Sequence, residues 1–240
     1  MNLLTRFSGY YRKLKQNGWY FLFYLFCRLS LAFGFIVAGM VKIIGERFAN
    51  GLSEIHPMGA YLTALHHTGY YYTFIGIAQV LAGVLLVIPR TVTLGALLYF
   101  PIILNITVLS YAVRFDGSLF TAPLMTLANV FILAWHYDDW KGILPHNKNK
   151  IAYRPKHFRE KSWRFPYFFA PTVLLITIGV IFGASRLYEV MPRNQIQDCE
   201  KQFVGTNREA AGNDFCRCVH EEGAPLDECL DRYEATASDR

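Results

Sequence analysis

The chain has 240 residues, of which 53% are hydrophobic and 18% are charged, and its formal net charge is +6. Ordinary soluble domains carry about 25% charged residues. Here residues 165–185 carry no charge over 21 positions, and residues 91–113 carry none over 23. A bilayer core of about 30 Å requires roughly 20 apolar helical residues. Five such stretches in one chain therefore exclude a soluble globular domain.

The first apolar stretch, residues 20–44, predicts a membrane-spanning helix. It is longer than the apolar region of a signal peptide and lacks a small-residue cleavage site, so we expect no cleavage there. Its charged residues are Arg28 and Lys42. Arg28 lies about 12 Å inside the span at 1.5 Å per residue, where an arginine costs up to about 3 kcal/mol.

Arg28 is expected either to reach the cytoplasmic interface with its long side chain or to find a polar partner inside the bundle. The partners considered are polar side chains, carbonyls freed by prolines and an anionic or carbonyl ligand. The residues in this set are Gln79, Asn105, Asn129, Pro101 and Pro123.

Helical spacing places Arg28, Phe35 and Lys42 on one stripe, with Ala32 and Gly39 beside it. A small-residue stripe with two cations is the pattern of a cleft for a lipid phosphate or a quinone oxygen. The candidate ligand-binding residues are Arg28, Lys42, Gln79 and Asn105. The alternatives are interfacial placement of the charges and structural hydrogen bonds between helices, which is also the first interpretation of Asn105 and Asn129.

Four further spans are predicted at residues 70–88, 91–112, 119–137 and 166–187. The short turns between the second, third and fourth spans predict antiparallel neighbours. Residues 45–69 form a longer loop in which Met58, Tyr61, Leu62 and Leu65 repeat at helical spacing. This loop is predicted to be either an interfacial helix or a segment packed over the bundle.

The predicted fold class is all-α: a polytopic membrane helix bundle with four helices in one unit, one further transmembrane helix and a small, helical, disulfide-stapled tail. The predicted divisions are a basic N-terminus, a four-helix unit, a basic linker, the fifth helix and an acidic cysteine-bearing tail. They cover residues 1–19, 20–137, 138–165, 166–188 and 189–240.

Basic residues set the predicted orientation, because they are enriched in cytoplasmic loops. Residues 1–18 hold four bases and no acid, and residues 138–164 hold eight bases and three acids. The tail from residue 189 holds six bases and twelve acids. We expect a cytoplasmic N-terminus and a periplasmic or extracellular C-terminus.

Two segments carry a family resemblance. RLSLAFGFIVAGMVKI (28–43) has an Arg early, a Gly late and a Lys three residues after it. GIAQVLAGVLLVIPRTVTLGALL (76–98) has a polar residue, then Gly, then an aliphatic run into a glycine-containing third helix. Over residues 20–140 the chain resembles the DoxX family, although many members carry Glu where this chain has Gln79.

The resemblance implies a four-helix bundle in a bacterial inner membrane. The acidic tail and the basic linker favour a non-catalytic subunit that scaffolds or assists partner proteins, in contact with the bilayer and with a membrane or periplasmic protein. The resemblance implies the alternative, a redox-associated protein that binds quinone or exchanges thiols and disulfides within an oxidoreductase complex. A small-solute or lipid carrier is a third hypothesis.

No catalytic residue, phosphate loop or in-membrane carboxylate pair is predicted, and no nucleic acid partner is expected. The histidines favour neither a haem nor a metal site. No cofactor is therefore predicted, except quinone under the redox hypothesis.

Four cysteines lie in the acidic tail, at Cys199, Cys216, Cys218 and Cys229. Their even number and extracytoplasmic placement predict two disulfides. If residues 208–221 are helical, Cys216 and Cys218 point in nearly opposite directions. We therefore expect each outer cysteine to bond one member of this central pair. A metal centre and exchanging thiols are the alternatives.

Overall fold

The computed structural model describes residue 11, residues 14–140 and residues 161–238. These residues form helices and contain no β-strand, although a single backbone bridge joins Asn17 and Ser162. The helices are α1 (Gly18–Ile44), α2 (Pro57–His67), α3 (Tyr70–Val87), α4 (Val92–Ala112), α5 (Thr121–Trp135), α6 (Tyr137–Trp140), α7 (Phe169–Leu187), α8 (Ile196–Lys201), α9 (Glu209–Arg217), a π-helical turn (Cys218–Glu222) and α10 (Leu226–Ser238).

The predicted fold class is confirmed: the chain is an all-helical membrane bundle with a disulfide-bearing C-terminal region. Helices α1, α3, α4 and α7 are each long and apolar enough to cross a bilayer. The fourth apolar helix in chain order, α5, has 15 residues rather than the predicted 19 positions of 119–137. It spans roughly 22 Å, because it ends before His136 and is followed by the separate short helix α6.

Close contact between α1 and α3 organises the bundle. A β-carbon added at Gly39 would lie 2.6 Å from the backbone oxygen of Gly76, and one added at Gly76 would lie 2.7 Å from the oxygen of Gly39. One added at Gly83 would lie 2.9 Å from the oxygen of Ala32. The two backbones therefore touch along a glycine-lined seam, as membrane helices with small residues at their interface do.

Aromatic and aliphatic side chains from α1, α3, α4 and α5 fill the centre of the bundle. The rings of Phe35 and Tyr99 stack with their centroids 3.4 Å apart and their planes at 17°. Ala82, Ala96 and Ile132 are fully buried around them. The bundle core therefore lies among the four-helix unit, and α7 lies outside it.

The long loop after α1 contains α2, and α2 packs on the bundle. Met58 and Leu62 are buried in a cluster that includes Leu109 and Val113 near the end of α4. Arg47 holds the loop closed by donating to the backbone oxygen of Leu52 at 2.6 Å. Both sequence-based alternatives for this loop were partly right: it is a helix, and it covers the bundle.

Helix α7 contacts the rest of the protein mainly at its two ends. At its beginning the Phe169 ring lies 4.3 Å from that of Tyr20. At its far end the Tyr188 hydroxyl donates to the backbone oxygen of Tyr111 at 2.8 Å. Only 6% of its most apolar window is buried, compared with 28–33% for the other three long helices.

The tail folds around its two disulfides, which join Cys199 to Cys216 and Cys218 to Cys229. The predicted pairing of each outer cysteine with one of the central pair is confirmed. The segment that contains Cys216 and Cys218 is helical as predicted, although its last turn is π-helical. All four cysteines are buried together with Phe203, Phe215, Val219 and Tyr233.

Candidate functional site

The buried Arg28 binds the C-terminal end of α3. Its Nε donates to the backbone oxygen of Leu86 and its Nη2 to that of Val87, both at 2.5 Å. The last carbonyls of a helix have no partner within the helix, and the negative end of the helix dipole favours a cation. Arg28, which belongs to α1, therefore caps the C-terminal end of α3.

This geometry corrects the prediction for the partners of Arg28. We expected the cytoplasmic interface, a polar side chain, a carbonyl near Pro101 or Pro123, or a ligand. The partners are instead carbonyls at the end of α3, just before the turn that contains Pro89. The helical conformation is disfavoured for a residue that precedes a proline. The position of Pro89 in the sequence was therefore the available signal that α3 ends here and leaves its last carbonyls free.

A hydrogen-bonded chain of side chains lies near Arg28 and was not predicted from the sequence. The Tyr24 hydroxyl is 2.9 Å from His136 Nε2, and His136 Nδ1 is 2.6 Å from the Asp139 carboxylate. Thr93 Oγ1 also donates to this carboxylate, at 3.2 Å. The one-turn spacing of His136 and Asp139 was a weak signal for it.

The hydrogen bonds among Tyr24, His136, Asp139 and Thr93 join the ends of four helices, α1, α4, α5 and α6. Tyr24 is buried and stacks on Trp135 with ring centroids 5.2 Å apart. Its hydroxyl therefore lies inside the wall of the bundle and not on an open surface. The arrangement fits a structural lock better than a catalytic relay.

Lys42 lies near the opposite end of α1 from Arg28. Its Nζ donates to the backbone oxygen of Ala38 at 3.1 Å and lies 4.5 Å from the centroid of the Phe48 ring. Arg28 and Lys42 are separated by about 21 Å along the helix, at 1.5 Å per residue. They do not form one two-cation cleft, because Ala32 and Gly39 between them are packed against α3.

The buried polar side chains in the middle of the bundle differ in whether their polar atoms have hydrogen-bond partners. Asn129 is fully buried, and its Nδ2 donates to the backbone oxygen of Ala96 at 3.1 Å, which confirms the predicted interhelical role. Gln79 is also buried. The Gln79 Oε1, the Asn129 Oδ1 and the Tyr99 hydroxyl are buried without a hydrogen-bond partner.

Asn105 is exposed on the surface of α4, so it is not a polar group of the bundle interior as expected. The polar residues of α4 lie on both of its faces, since Thr107 and Ser110 are buried whereas Asn105 is exposed, and the sequence pattern therefore did not show which face turns inward. Arg28, Lys42, Gln79 and Asn105 consequently lie at two ends, in the centre and on the outside of the bundle. The structure does not bring the four predicted residues together.

The disulfide-bonded tail docks on the bundle end that carries α2. Arg114 donates from Nη1 to the backbone oxygen of Val190 at 2.6 Å. Arg193 Nη1 lies 3.2 Å from an oxygen of the Asp116 carboxylate. Arg114 and Arg193 both have left-handed backbone conformations, with φ of 49° and 54°, which non-glycine residues adopt at a cost that the surrounding contacts must offset.

His56 and His220 meet at this docking surface, with ring centroids 5.8 Å apart. His56 is fully buried, and its Nδ1 accepts a hydrogen bond from the Met58 backbone N–H at the start of α2. Burial, and then the nearby His220, lower the pKa of His56 to about 4, and the backbone carbonyl of Arg193 opposes this shift. His56 is therefore neutral at physiological pH, as its role as a hydrogen-bond acceptor requires.

Among the residues that the structure describes, no three His, Cys, Asp or Glu side chains form a group that could hold a metal ion. His66 and His67 lie side by side with ring centroids 6.0 Å apart. His56 instead points to His220 and Phe115. The tail cysteines are paired in disulfides.

These features define a class: a polytopic helical membrane protein with an oxidised, folded module docked on one end of its bundle. No family model and no solved structure matches the chain. Over 113 residues it is 37% identical to the uncharacterized protein YwoB of Bacillus subtilis (strain 168), an alignment that covers 45% of this chain and 72% of that protein. The chain belongs to the same family as YwoB.

Proposed function

We propose that the protein is a non-catalytic membrane scaffold of DoxX-like type, which holds a partner protein against α7. The observation that carries this proposal is the exposure of α7 along its length. Leu174 and Leu175 are 59% and 69% exposed. A helix that is anchored at both ends and uncovered between them offers a surface for another membrane helix.

The composition of α7 supports this use of its surface. Gly179 and Gly183 are one turn apart, and a β-carbon added at either would meet nothing within 4 Å. Small residues with this spacing allow two membrane helices to approach closely. Asn105, exposed on α4, adds a polar group that a partner helix would satisfy better than lipid does.

The proposed setting is the plasma membrane of a bacterium, with the N-terminus in the cytoplasm and the tail outside. Basic segments favour the cytoplasmic side. The two basic segments approach each other at one end of the bundle, where Lys161 Nζ donates to the backbone oxygen of Lys15 at 3.1 Å. The acidic tail docks at the other end, through Arg114 and Arg193.

The redox-associated alternative rests on the buried oxygens of Gln79, Tyr99 and Asn129, which lack partners. A quinone carbonyl would accept a hydrogen bond from the Tyr99 hydroxyl. Thiol exchange is less favoured, because attack on a disulfide requires access to sulfur and all four bonded cysteines are buried. The scaffold is therefore the preferred function.

Site-specific photo-crosslinking in cells tests the proposal. A photoreactive residue at Leu175 should give a discrete protein adduct, and one at the fully buried Ile132 should give none. The double variant Gly179→Leu/Gly183→Leu should reduce the Leu175 adduct at least severalfold. Gly51→Leu is the matched control, because it also adds a side chain in open space.

A protein adduct that depends on Gly179 and Gly183 supports the scaffold. Adducts with lipid alone in wild-type cells would contradict it. A quinone that copurifies with the protein, and is lost in Tyr99→Phe, would instead establish the redox-associated function.

A further inference from the structure

A groove of about 400 Å³ lies between the N-terminal segment, the end of α5 and the beginning of α7. Phe131 and Trp135 of α5 form one wall, and Phe169 and Thr172 of α7 form the other. Its volume is within the range of small-molecule sites, about 300–1,000 Å³. The groove is therefore large enough for part of a lipid molecule, and its walls are chiefly apolar.

One lysine lines this groove, and a second lysine contacts the first. Lys15 lines it, with its Nζ 4.4 Å from the centroid of the Tyr11 ring and 3.6 Å from the Asp138 carboxylate. Lys161 Nζ donates to the backbone oxygen of Lys15 and lies 4.1 Å from the centroid of the Phe21 ring. The groove itself thus carries one ammonium group, that of Lys15 beside the Asp138 carboxylate, and a second ammonium group lies next to this residue.

The two ammonium groups are near enough to affect each other. Burial, and then the charge of Lys15, lower the pKa of Lys161. Asp138 offsets the charge of Lys15 in part, at 3.6 Å, and an anion close to both lysines would relieve the remaining repulsion. The exposed Arg164 follows nearby, and the Asn17 side chain donates to its backbone oxygen at 2.7 Å.

We propose that this groove binds one anionic phospholipid, with its acyl chain between α5 and α7 and its phosphate at Lys15 and Lys161. Aromatic side chains and basic groups at one level of a membrane protein mark the headgroup region. Basic pockets between transmembrane helices on the cytoplasmic side bind acidic headgroups. The lipid also fills the space between the bundle and α7, so it would steady the beginning of that helix.

Native mass spectrometry of the purified full-length protein tests this site. The protein is exchanged into detergent containing equal amounts of phosphatidylglycerol and phosphatidylcholine. Wild type should retain one phosphatidylglycerol in preference to phosphatidylcholine. Lys15→Gln and Lys161→Gln should each reduce that preference by about fivefold, the ratio that corresponds to about 1 kcal/mol per basic residue.

A second pair of variants tests the apolar part of the site. Thr172→Trp places an indole in the groove and should abolish the retained lipid. Leu175→Trp is the control on the same helix, because Leu175 is 69% exposed and does not line the groove. Lys201→Gln, at an exposed lysine of the tail, is the control for charge removal.

Equal retention of the two lipids by wild type would overturn the proposal. So would a preference that persists in Lys15→Gln and Lys161→Gln, or a Thr172→Trp variant that retains lipid as Leu175→Trp does. Because Lys→Gln leaves the groove open and Thr172→Trp leaves its charge unchanged, a folding defect in one variant does not remove the other test.

Discussion

Arg28 has a structural partner that a search among side chains does not find. The depth of Arg28 in the span predicted correctly that its side chain is buried against a polar group. That group is a pair of backbone carbonyls, of Leu86 and Val87. Backbone acceptors at a helix end can be predicted only when the position of that end is predicted first. Here the end of α3 is set by the turn that contains Pro89.

Replacement of Arg28 tests this role. Arg28→Leu leaves two buried carbonyls without donors, and each should cost about 1–3 kcal/mol. Arg28→Lys should retain part of the stability, because a single ammonium does not reproduce the two-pronged contact of the guanidinium. The measurement is the thermal unfolding midpoint in detergent.

Arg90 provides the control for Arg28. It lies in the turn that follows α3 and is exposed. Arg90→Leu should leave the unfolding midpoint nearly unchanged. Equal effects of Arg28→Leu and Arg90→Leu would show that the Arg28 contacts contribute nothing specific.

His56 predicts a pH dependence of stability. Its pKa falls from 6.5 to about 4 on folding, so the folded state favours the neutral ring. The resulting stability is complete above pH 6.5 and is lost as the pH falls towards 4. At pH 5 the loss should be about 2 kcal/mol.

His56→Asn isolates this effect. Asparagine also accepts a hydrogen bond at the start of a helix but does not titrate. Thermal unfolding midpoints at pH 7 and pH 5 should therefore converge in the variant relative to wild type. An identical decrease in both proteins would assign the pH dependence to other groups.

Asn105 and Asn129 show why the sequence predicted polar sites only in part. Both lie in apolar spans, but Asn129 bonds to Ala96 and Asn105 is exposed. A span whose apolar residues occupy every face, with only a few polar residues among them, carries no periodic signal of its inward face. The hydrogen-bonded side chains of Tyr24, His136 and Asp139 were not predicted, because Tyr24 and His136 are 112 positions apart in the sequence.

At the scale of elements, the glycine seam between α1 and α3 predicts a strong response to substitution. Gly39→Leu would force a side chain into the Gly76 backbone, which is 2.6 Å from the added β-carbon. Overpacking of this kind costs about 1–3 kcal/mol or more. Gly39→Leu should lower the unfolding midpoint, and Gly179→Leu, in open space on α7, should not.

The seam also separates two interpretations of the same residues. Arg28, Ala32, Gly39 and Lys42 were predicted to line a ligand cleft. The contact with Gly76 instead fills the stripe with another helix. If Gly39→Leu were fully stable, α1 and α3 would not be in contact there, and the cleft would be restored as an interpretation.

Element boundaries were better predicted than element roles. The predicted span 91–112 matches α4, Val92–Ala112, because uncharged stretches of this length are fixed by the thickness of the bilayer. The predicted span 119–137 is longer than α5, because the turn before the helix and the aromatic residues after it are also uncharged. Hydropathy does not distinguish such flanks from helix.

At the scale of the whole molecule, the tail depends on its disulfides. A module of this size buries too little apolar surface to be secure alone, and each bridge contributes about 2–4 kcal/mol. Replacing Cys218 and Cys229 together by Ser should leave the bundle folded and make the tail sensitive to protease.

Non-reducing peptide mapping gives the matching measurement for the native protein. It should recover peptides that join Cys199 to Cys216 and Cys218 to Cys229. Four free thiols in protein isolated with alkylating agent present would contradict the assignment of the tail to an oxidising compartment. A protease-resistant tail in the double Ser variant would show that this bridge is dispensable.

We propose above all that the bundle carries this tail to the opposite side of the membrane from the basic linker. Fusion of a reporter that is active only in the cytoplasm tests it most directly. A fusion after Lys150 should be active and a fusion after Arg240 inactive, with both proteins present in the membrane at similar levels. Activity at both positions, or only after Arg240, would contradict the account.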